Sequence, residues 1–304
     1  MNLHTKTIHA SFLFAILFLH KARLLIRYPR TCRVVDLIIY PVKGLQGCHL
    51  DSVKLFERGL EYDRQFMIVD GATRNFVSQR KYPQMSTLRA RILQGDTLEL
   101  TSFDETQRSL VKDFDKGESV TVTIWSVVVP NAKDQGDTVS AWISSQVGIS
   151  DLRLVFMSKD TKRLVKNSTE AVSFADGYPI LAASVSSLED LNRRILDREF
   201  VSMDRFRPNL VLDGLYPWTE DSQNLKLLFP NNQVIRFVKP SDRCKVTTVD
   251  QTTSRISENN EPLRTLKTFR TLTFDSSVYF GTNCIMERTN EIPISCGEVK
   301  LRWF

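Results

Sequence analysis

From residue 33 onward, apolar side chains recur mostly in short runs or at a spacing of two, and each run is closed by proline, glycine or a polar cluster. That spacing is the signature of strands. Residues 33–40 read as a strand closed by Pro41, and residues 66–70 as another closed by Gly71. Residues 88–93, 97–100 and 120–129 add three more. The period then changes: residues 137–147 read as a short helix with Asp137 as its N-cap and Gly148 as its end. With the polar stretch 158–168, that end places a domain boundary near residue 155.

The second half opens on a helix in which Ser186 and Glu189 form a capping-box pair and Leu188, Leu191 and Ile195 share a face. Residues 209–212, 233–238 and 245–249 follow as strands. A helix over 262–269 starts at Pro262, a permitted first-turn position, with Leu263 and Leu266 on one face. Residues 278–286 and 299–304 return to strand. Many short strands and few helices predict an α+β, β-rich chain with mixed, barrel-like sheets, in preference to a parallel α/β sheet.

Charge changes the picture at one end only. The chain has 41 Lys and Arg against 35 Asp and Glu, but Lys6, Lys21, Arg23, Arg27, Arg30 and Arg33 all precede the first acid, Asp36. Beyond them the body is formally neutral, which argues against nucleic acid as a partner. The same basic, acid-free arm carries an apolar run over residues 8–19 with its cations after the run, the reverse of a secretory signal. It reads as a mitochondrial targeting leader or signal anchor over residues 1–32, joining the chain to a membrane.

Composition narrows the chemistry. All four histidines, His4, His9, His20 and His49, lie in the first 49 residues, so a histidine-dependent hydrolase, a His-rich zinc site and a His-ligated haem lose support. With 12 glycines and no Gly-x-Gly-x-x-Gly or Walker loop, standard dinucleotide and nucleotide sites do too. The five cysteines form no Cys-x-x-Cys pair. Cys48, Cys284 and Cys296 read as structural thiols, Cys32 as part of the leader junction, and Trp125, Trp142, Trp218 and Trp303 as core or rim packing. Cys244 differs, because Arg243 and Lys245 flank it. Adjacent positive charge favours thiolate, the form that attacks electrophiles and binds soft metals. Without a histidine to serve as base, metal coordination gains over nucleophilic catalysis.

The order of several short motifs carries a resemblance. In the first half they are Tyr40-Pro-Val-Lys43, Arg58-Gly-Leu60, Tyr62-Asp-Arg64, Phe66-Met-Ile-Val-Asp70 and Ser78-Gln-Arg80. In the second they are Ser187-Leu-Glu-Asp-Leu-Asn192, Phe206-Arg-Pro-Asn209, Asp242-Arg-Cys244, Thr247-Thr-Val-Asp250 and Glu261-Pro-Leu263. In this order they resemble the MOSC family, and within it the mitochondrial amidoxime-reducing components. The resemblance implies a MOSC-type mixed β-barrel over residues 156–304, preceded by an amino-terminal β-barrel-like companion domain over 33–155.

It also implies a site. Cys244 would ligate molybdenum carried by a pyranopterin dithiolene, and Lys43, Arg64, Arg207 and Asn209 would hold the pterin and its phosphate. Ser184 and Ser186 would offer hydroxyls and helix N-terminal amides to the same anion, with Gly44, Asp242 and Arg243 completing the cofactor-binding set. The implied activity is two-electron reduction of N-hydroxylated compounds, amidoximes and hydroxylamines, to amidine or amine plus water. Electrons would come from a b-type cytochrome and an NADH-dependent flavoprotein reductase, at the mitochondrial outer membrane with the body facing the cytosol. A cofactor or sulfur carrier and a non-catalytic scaffold are the alternatives. The chain departs from the family pattern at Gly44, where a serine is common, at Asp242, where related reductases carry serine, and at Ser254, where a glycine is common.

Overall fold

The computed structural model describes residues 29–196, 199–271 and 276–304. The leader lies outside them, apart from residues 29–32. Among the described residues no helix is long and apolar enough to cross a membrane.

Seven strands close a barrel: β1 (Thr31–Ile39), β2 (Ile180–Ser184), β3 (Leu210–Asp213), β4 (Leu225–Leu228), β5 (Val234–Arg243), β6 (Val278–Arg288) and β7 (Gly297–Trp303). Around the barrel the order is β1, β3, β2, β6, β5, β4, β7, and back to β1. Neighbours are antiparallel except β2 and β3. A parallel pair needs a crossover connection, and a helix between those two strands supplies it. The barrel interior is apolar, with Leu37, Leu212, Leu227, Ile235, Phe237 and Cys284 all buried. In β1 the inward set shifts from Cys32 and Val34 to Leu37 and Ile39, a change of parity that the β-bulge between Val34 and Asp36 permits.

The amino-terminal half also forms a five-stranded sheet, ordered Ser119–Ile124, Val127–Asp134, Leu152–Met157, Phe66–Asp70 and Val42–Lys43. A three-stranded sheet (Arg89–Leu93, Thr97–Thr101, Arg108–Val111) and helix α1 (Asp137–Val147) pack with it. Phe66, Phe114 and Phe156 meet in their shared core, with ring centroids 4.9 to 5.4 Å apart. Two facts bear on the division between the halves: β1 arises from the amino-terminal segment yet completes the barrel, and residue 155 lies inside the central strand of the five-stranded sheet.

Several local expectations are corrected. Residues 120–129 form a hairpin, Ser119–Ile124 paired with Val127–Asp134, and Trp125 adopts φ of +56° at the turn. No Gly or Asn marks that turn, so the β-branched run hides it. Helix α1 takes Gly136, not Asp137, as its N-cap. Helix α2 (Val185–Arg194) starts two residues earlier than its expected capping box, with Ser184 at the N-cap and no side-chain capping bond. Residues 245–249 are not a strand; Lys245–Thr248 form a 3₁₀ turn. Thr247 Oγ1 donates to the Cys244 carbonyl and Thr248 Oγ1 to the Lys245 carbonyl, and these bonds outweigh the β-propensity of threonine. The strands at β2 and β4 had no expectation attached. Helix α3 (Leu263–Lys267) buries Leu266 as expected, with Pro262 at its N-cap.

Candidate cofactor site

A cleft of about 340 Å³ opens between the barrel and the five-stranded sheet. The sheet side contributes Lys43, Gly44 and Arg64, and the barrel side contributes Arg207, Asn209, Asp242, Arg243 and Cys244. Eight of the ten residues singled out from the sequence therefore line one cavity. Ser184 and Ser186 do not line it: Ser184 is fully buried and the two hydroxyls lie 2.7 Å from each other.

Cys244 sits at the end of β5, where the chain leaves the barrel and enters the 3₁₀ turn. Its carbonyl accepts from both Thr247 N and Thr247 Oγ1, which fixes the backbone and leaves the half-buried thiol on the cleft wall. The other cysteines are poor thiolates. Burial pushes the Cys32 thiol up to about 12 and raises Cys284 well above its ordinary value, and burial raises Cys48 and Cys296 as well.

The cleft floor is built around Tyr40. Its ring lies between two guanidiniums, with Arg64 Cζ and Arg207 Cζ each 4.2 Å from the centroid. Both arginines hold left-handed backbone, φ +48° and +57°, a conformation that non-glycine residues adopt at a cost. Arg64 is fixed by the buried Asp63 carboxylate (2.7 Å), by Asn209 Oδ1 (3.1 Å) and by the Arg207 carbonyl (3.0 Å). Pairing with Asp63 is thus a buried contact and not a surface ion pair. Asn209 spends its amide within the protein, accepting also from Leu181 N and donating to the Ile38 carbonyl. It orients Arg64.

Arg207 is held by the Leu45 carbonyl (2.7 Å) and by Gln251 Oε1 (3.0 Å). Gln251 and Gln79 exchange amide hydrogen bonds, and Gln79 also donates to the Gly44 carbonyl. This ladder crosses from one half of the chain to the other and ends on Arg207. Burial pushes the Arg207 guanidinium down to about 10 and also lowers Arg243 and Lys43. Gly44 has φ of +87°, and a Cβ there would come within 3.1 Å of Met85.

Sequence reasoning missed Asp176 and misread Trp125. Asp176 Oδ1 accepts from Lys43 Nζ at 2.6 Å and from Trp125 Nε1 at 2.9 Å. Packing around this carboxyl disfavours its charge, but the Lys43 ammonium and the two hydrogen bonds outweigh that and hold it well below the usual carboxylate range. Trp125 is a wall of the cleft and not core or rim packing. No spacing ties Asp176 or Trp125 to the other motifs, since a loop and a hairpin turn bring them in.

The donor set decides what could bind. Among the described residues no three His, Cys, Asp or Glu side chains converge as a metal site. A metal that brings most of its own ligands, and takes one thiolate from the protein, fits this arrangement. Lys43, Arg64, Arg80, Arg207, Lys239 and Arg243 face two lining carboxylates, Asp176 and Asp242, so the cleft favours an anionic ligand. The Nε of Arg243 is buried without a partner among the described residues, which leaves a donor for such a ligand. A phosphorylated pterin dithiolene meets both conditions.

The MOSC N-terminal beta barrel domain model matches residues 31–150, and the MOSC domain model matches residues 169–299. The chain is 30% identical over 248 residues to mitochondrial amidoxime-reducing component 1 of Mus musculus, covering 78% of this chain and 71% of that protein. Identity to the Homo sapiens protein of the same name is 27% over 277 residues, covering 86% of this chain and 80% of that one. It is 29% identical over 260 residues to molybdenum cofactor sulfurase of Oryza sativa subsp. japonica, covering 77% of this chain but 30% of that protein.

Proposed function

This chain belongs to the MOSC family, and we propose that within it the chain is a molybdenum-cofactor-dependent reductase of N-hydroxylated compounds. The observation that carries the reading is one thiol, Cys244, on the wall of a cation-rich cleft that also holds Lys43, Arg64 and Arg207. The reaction takes two electrons and two protons: an amidoxime R–C(NH₂)=N–OH loses its N–O bond and gives the amidine R–C(NH₂)=NH plus water. The bound molybdenum pterin supplies two-electron chemistry at oxygen. Cys244 would hold the metal through its soft sulfur, from the cleft wall. Lys43, Arg64 and Arg207 seat the phosphate and pterin, Asn209 keeps Arg64 in place, and the backbone of Gly44 replaces the hydroxyl that a serine would bring. Asp242 is exposed at the cleft and is one candidate carboxyl for passing protons from water to the leaving oxygen. Electrons come from a b-type cytochrome fed by an NADH-dependent flavoprotein reductase. The names of the amidoxime-reducing relatives support a mitochondrial location. The reading adds the amino-terminal segment as an anchor to the outer membrane, with the body in the cytosol.

The test is molybdenum analysis together with benzamidoxime turnover in a reconstituted electron chain. Wild type should carry metal and turn over, and Cys244→Ala should lose activity. Wild type without molybdenum, made in a cofactor-competent host, would sink the reading. The likeness to the sulfurase favours a second reading, a carrier that binds the cofactor for delivery. Protein that is loaded with molybdenum yet inert towards benzamidoxime would decide for the carrier.

A further inference from the structure

The outer part of the cleft differs from its floor. Lys43 and Arg64 in the floor are 12% and 13% exposed and each meets a carboxylate. At the mouth, Arg80 and Lys239 are exposed, and neither has a carboxylate partner among the described residues. Each instead rests on an aromatic face: Arg80 Cζ lies 4.4 Å from the Trp125 ring centroid, and Lys239 Nζ lies 5.6 Å from that of Tyr178. Trp125 is held in plane by the edge of Phe76, with centroids 4.6 Å apart, and by its bond to Asp176. A cation lying on a ring keeps outward N–H donors for a ligand, and the rings offer flat apolar area beside them. Two carboxylates also line the mouth, but Lys43 neutralises Asp176, leaving only Asp242 against the two cations.

We infer that the mouth of this cleft selects N-hydroxylated substrates with a planar body and an anionic group, Arg80 and Lys239 taking the anion and Trp125 and Tyr178 the planar body. The inference rests on the reductase reading and adds the substrate class. Both cations are specificity determinants, remote from the reacting N–O bond.

The experiment compares benzamidoxime with 4-carboxybenzamidoxime on molybdenum-loaded full-length protein. The carboxylate should raise kcat/KM about five- to tenfold, as expected for two exposed charge contacts, chiefly through KM, and added salt should shrink the gain. In the double variant Arg80→Ala, Lys239→Ala the ratio of the two substrates should fall to about one or below while molybdenum content stays at the wild-type level. Equal kcat/KM for the two compounds in wild type overturns the inference. So does loss of molybdenum from the double variant, which would assign these cations to the cofactor. A second arm needs no turnover: quenching of tryptophan fluorescence, with Trp125→Phe as control, measures equilibrium binding of both compounds. Tighter binding of the carboxylate that the double variant abolishes supports the inference, and equal binding overturns it. If metal-loaded wild type reduces neither compound, the reductase reading fails, and the fluorescence arm still decides whether the mouth takes a planar anion.

Discussion

Replacing Gln251 by leucine would cut the ladder that holds Arg207. Gln251 is 3% exposed and takes part in four hydrogen bonds: two exchanged with Gln79, one given to the Val249 carbonyl and one accepted from Arg207 Nη1. Leucine keeps most of the volume but leaves the guanidinium donor, the Gln79 carbonyl oxygen and the Val249 carbonyl without those partners. Leaving a buried polar group unpaired costs about 1–3 kcal/mol, more when it is charged, and small rearrangements recover part of that. The net loss for Gln251→Leu is set at ~3 kcal/mol. Urea unfolding of the cofactor-free protein reads it as a lower midpoint at unchanged slope. Gln251→Glu keeps an acceptor for Arg207 but gives up both donated bonds, so it should fall between leucine and wild type in stability while retaining molybdenum better than leucine. If Gln251→Leu unfolds within about 0.5 kcal/mol of wild type and keeps its metal, the ladder does not position Arg207.

Three further outcomes follow from the same geometry. Glu220 is fully buried, and burial, then the neighbouring Asp221, pushes its carboxyl up to about 7. The folded state therefore holds a proton that the unfolded chain has released, and stability should fall as pH rises from ~4.3 to about 7, by about 3 kcal/mol, with Glu220→Gln flattening that slope in unfolding curves taken across the range. Asp176 shows the opposite sign: its lowered carboxyl stabilises the fold above the ordinary carboxylate pKa, and the contribution is lost as pH falls through the folded value. Acid titration of Asp176→Asn should lack that component. Ser254 has φ of +58° in the turn that Asp250 braces through Thr252 and Thr253, so Ser254→Gly should raise stability by about 0.5–1 kcal/mol in the same assay.

Alternation and turn residues made much of the β-rich fold legible. Phe66–Asp70 and Asp137–Val147 match their expected spans, because the first is an apolar run stopped by glycine and the second ends in a left-handed Gly148. Local patterning failed where side chains bonded their own backbone, as in the 3₁₀ turn after Cys244, and where a turn lacked turn residues, as at Trp125.

By itself the sequence determined which residue types were available: one cysteine between cations, no histidine beyond His49, and arginines and a lysine in recurring short motifs. Only the tertiary structure decided which of them meet. Lys43 and Cys244 are 201 residues apart in sequence and line one cleft from its two sides because the sheet docks on the barrel. Asp176, Trp125 and the Gln79–Gln251 pair joined the site, while Ser184 and Ser186 turned to each other. The physical reason is the range of the forces involved. Backbone propensity acts over a few residues, whereas a buried charge takes its partner from whatever segment packing brings within hydrogen-bond reach.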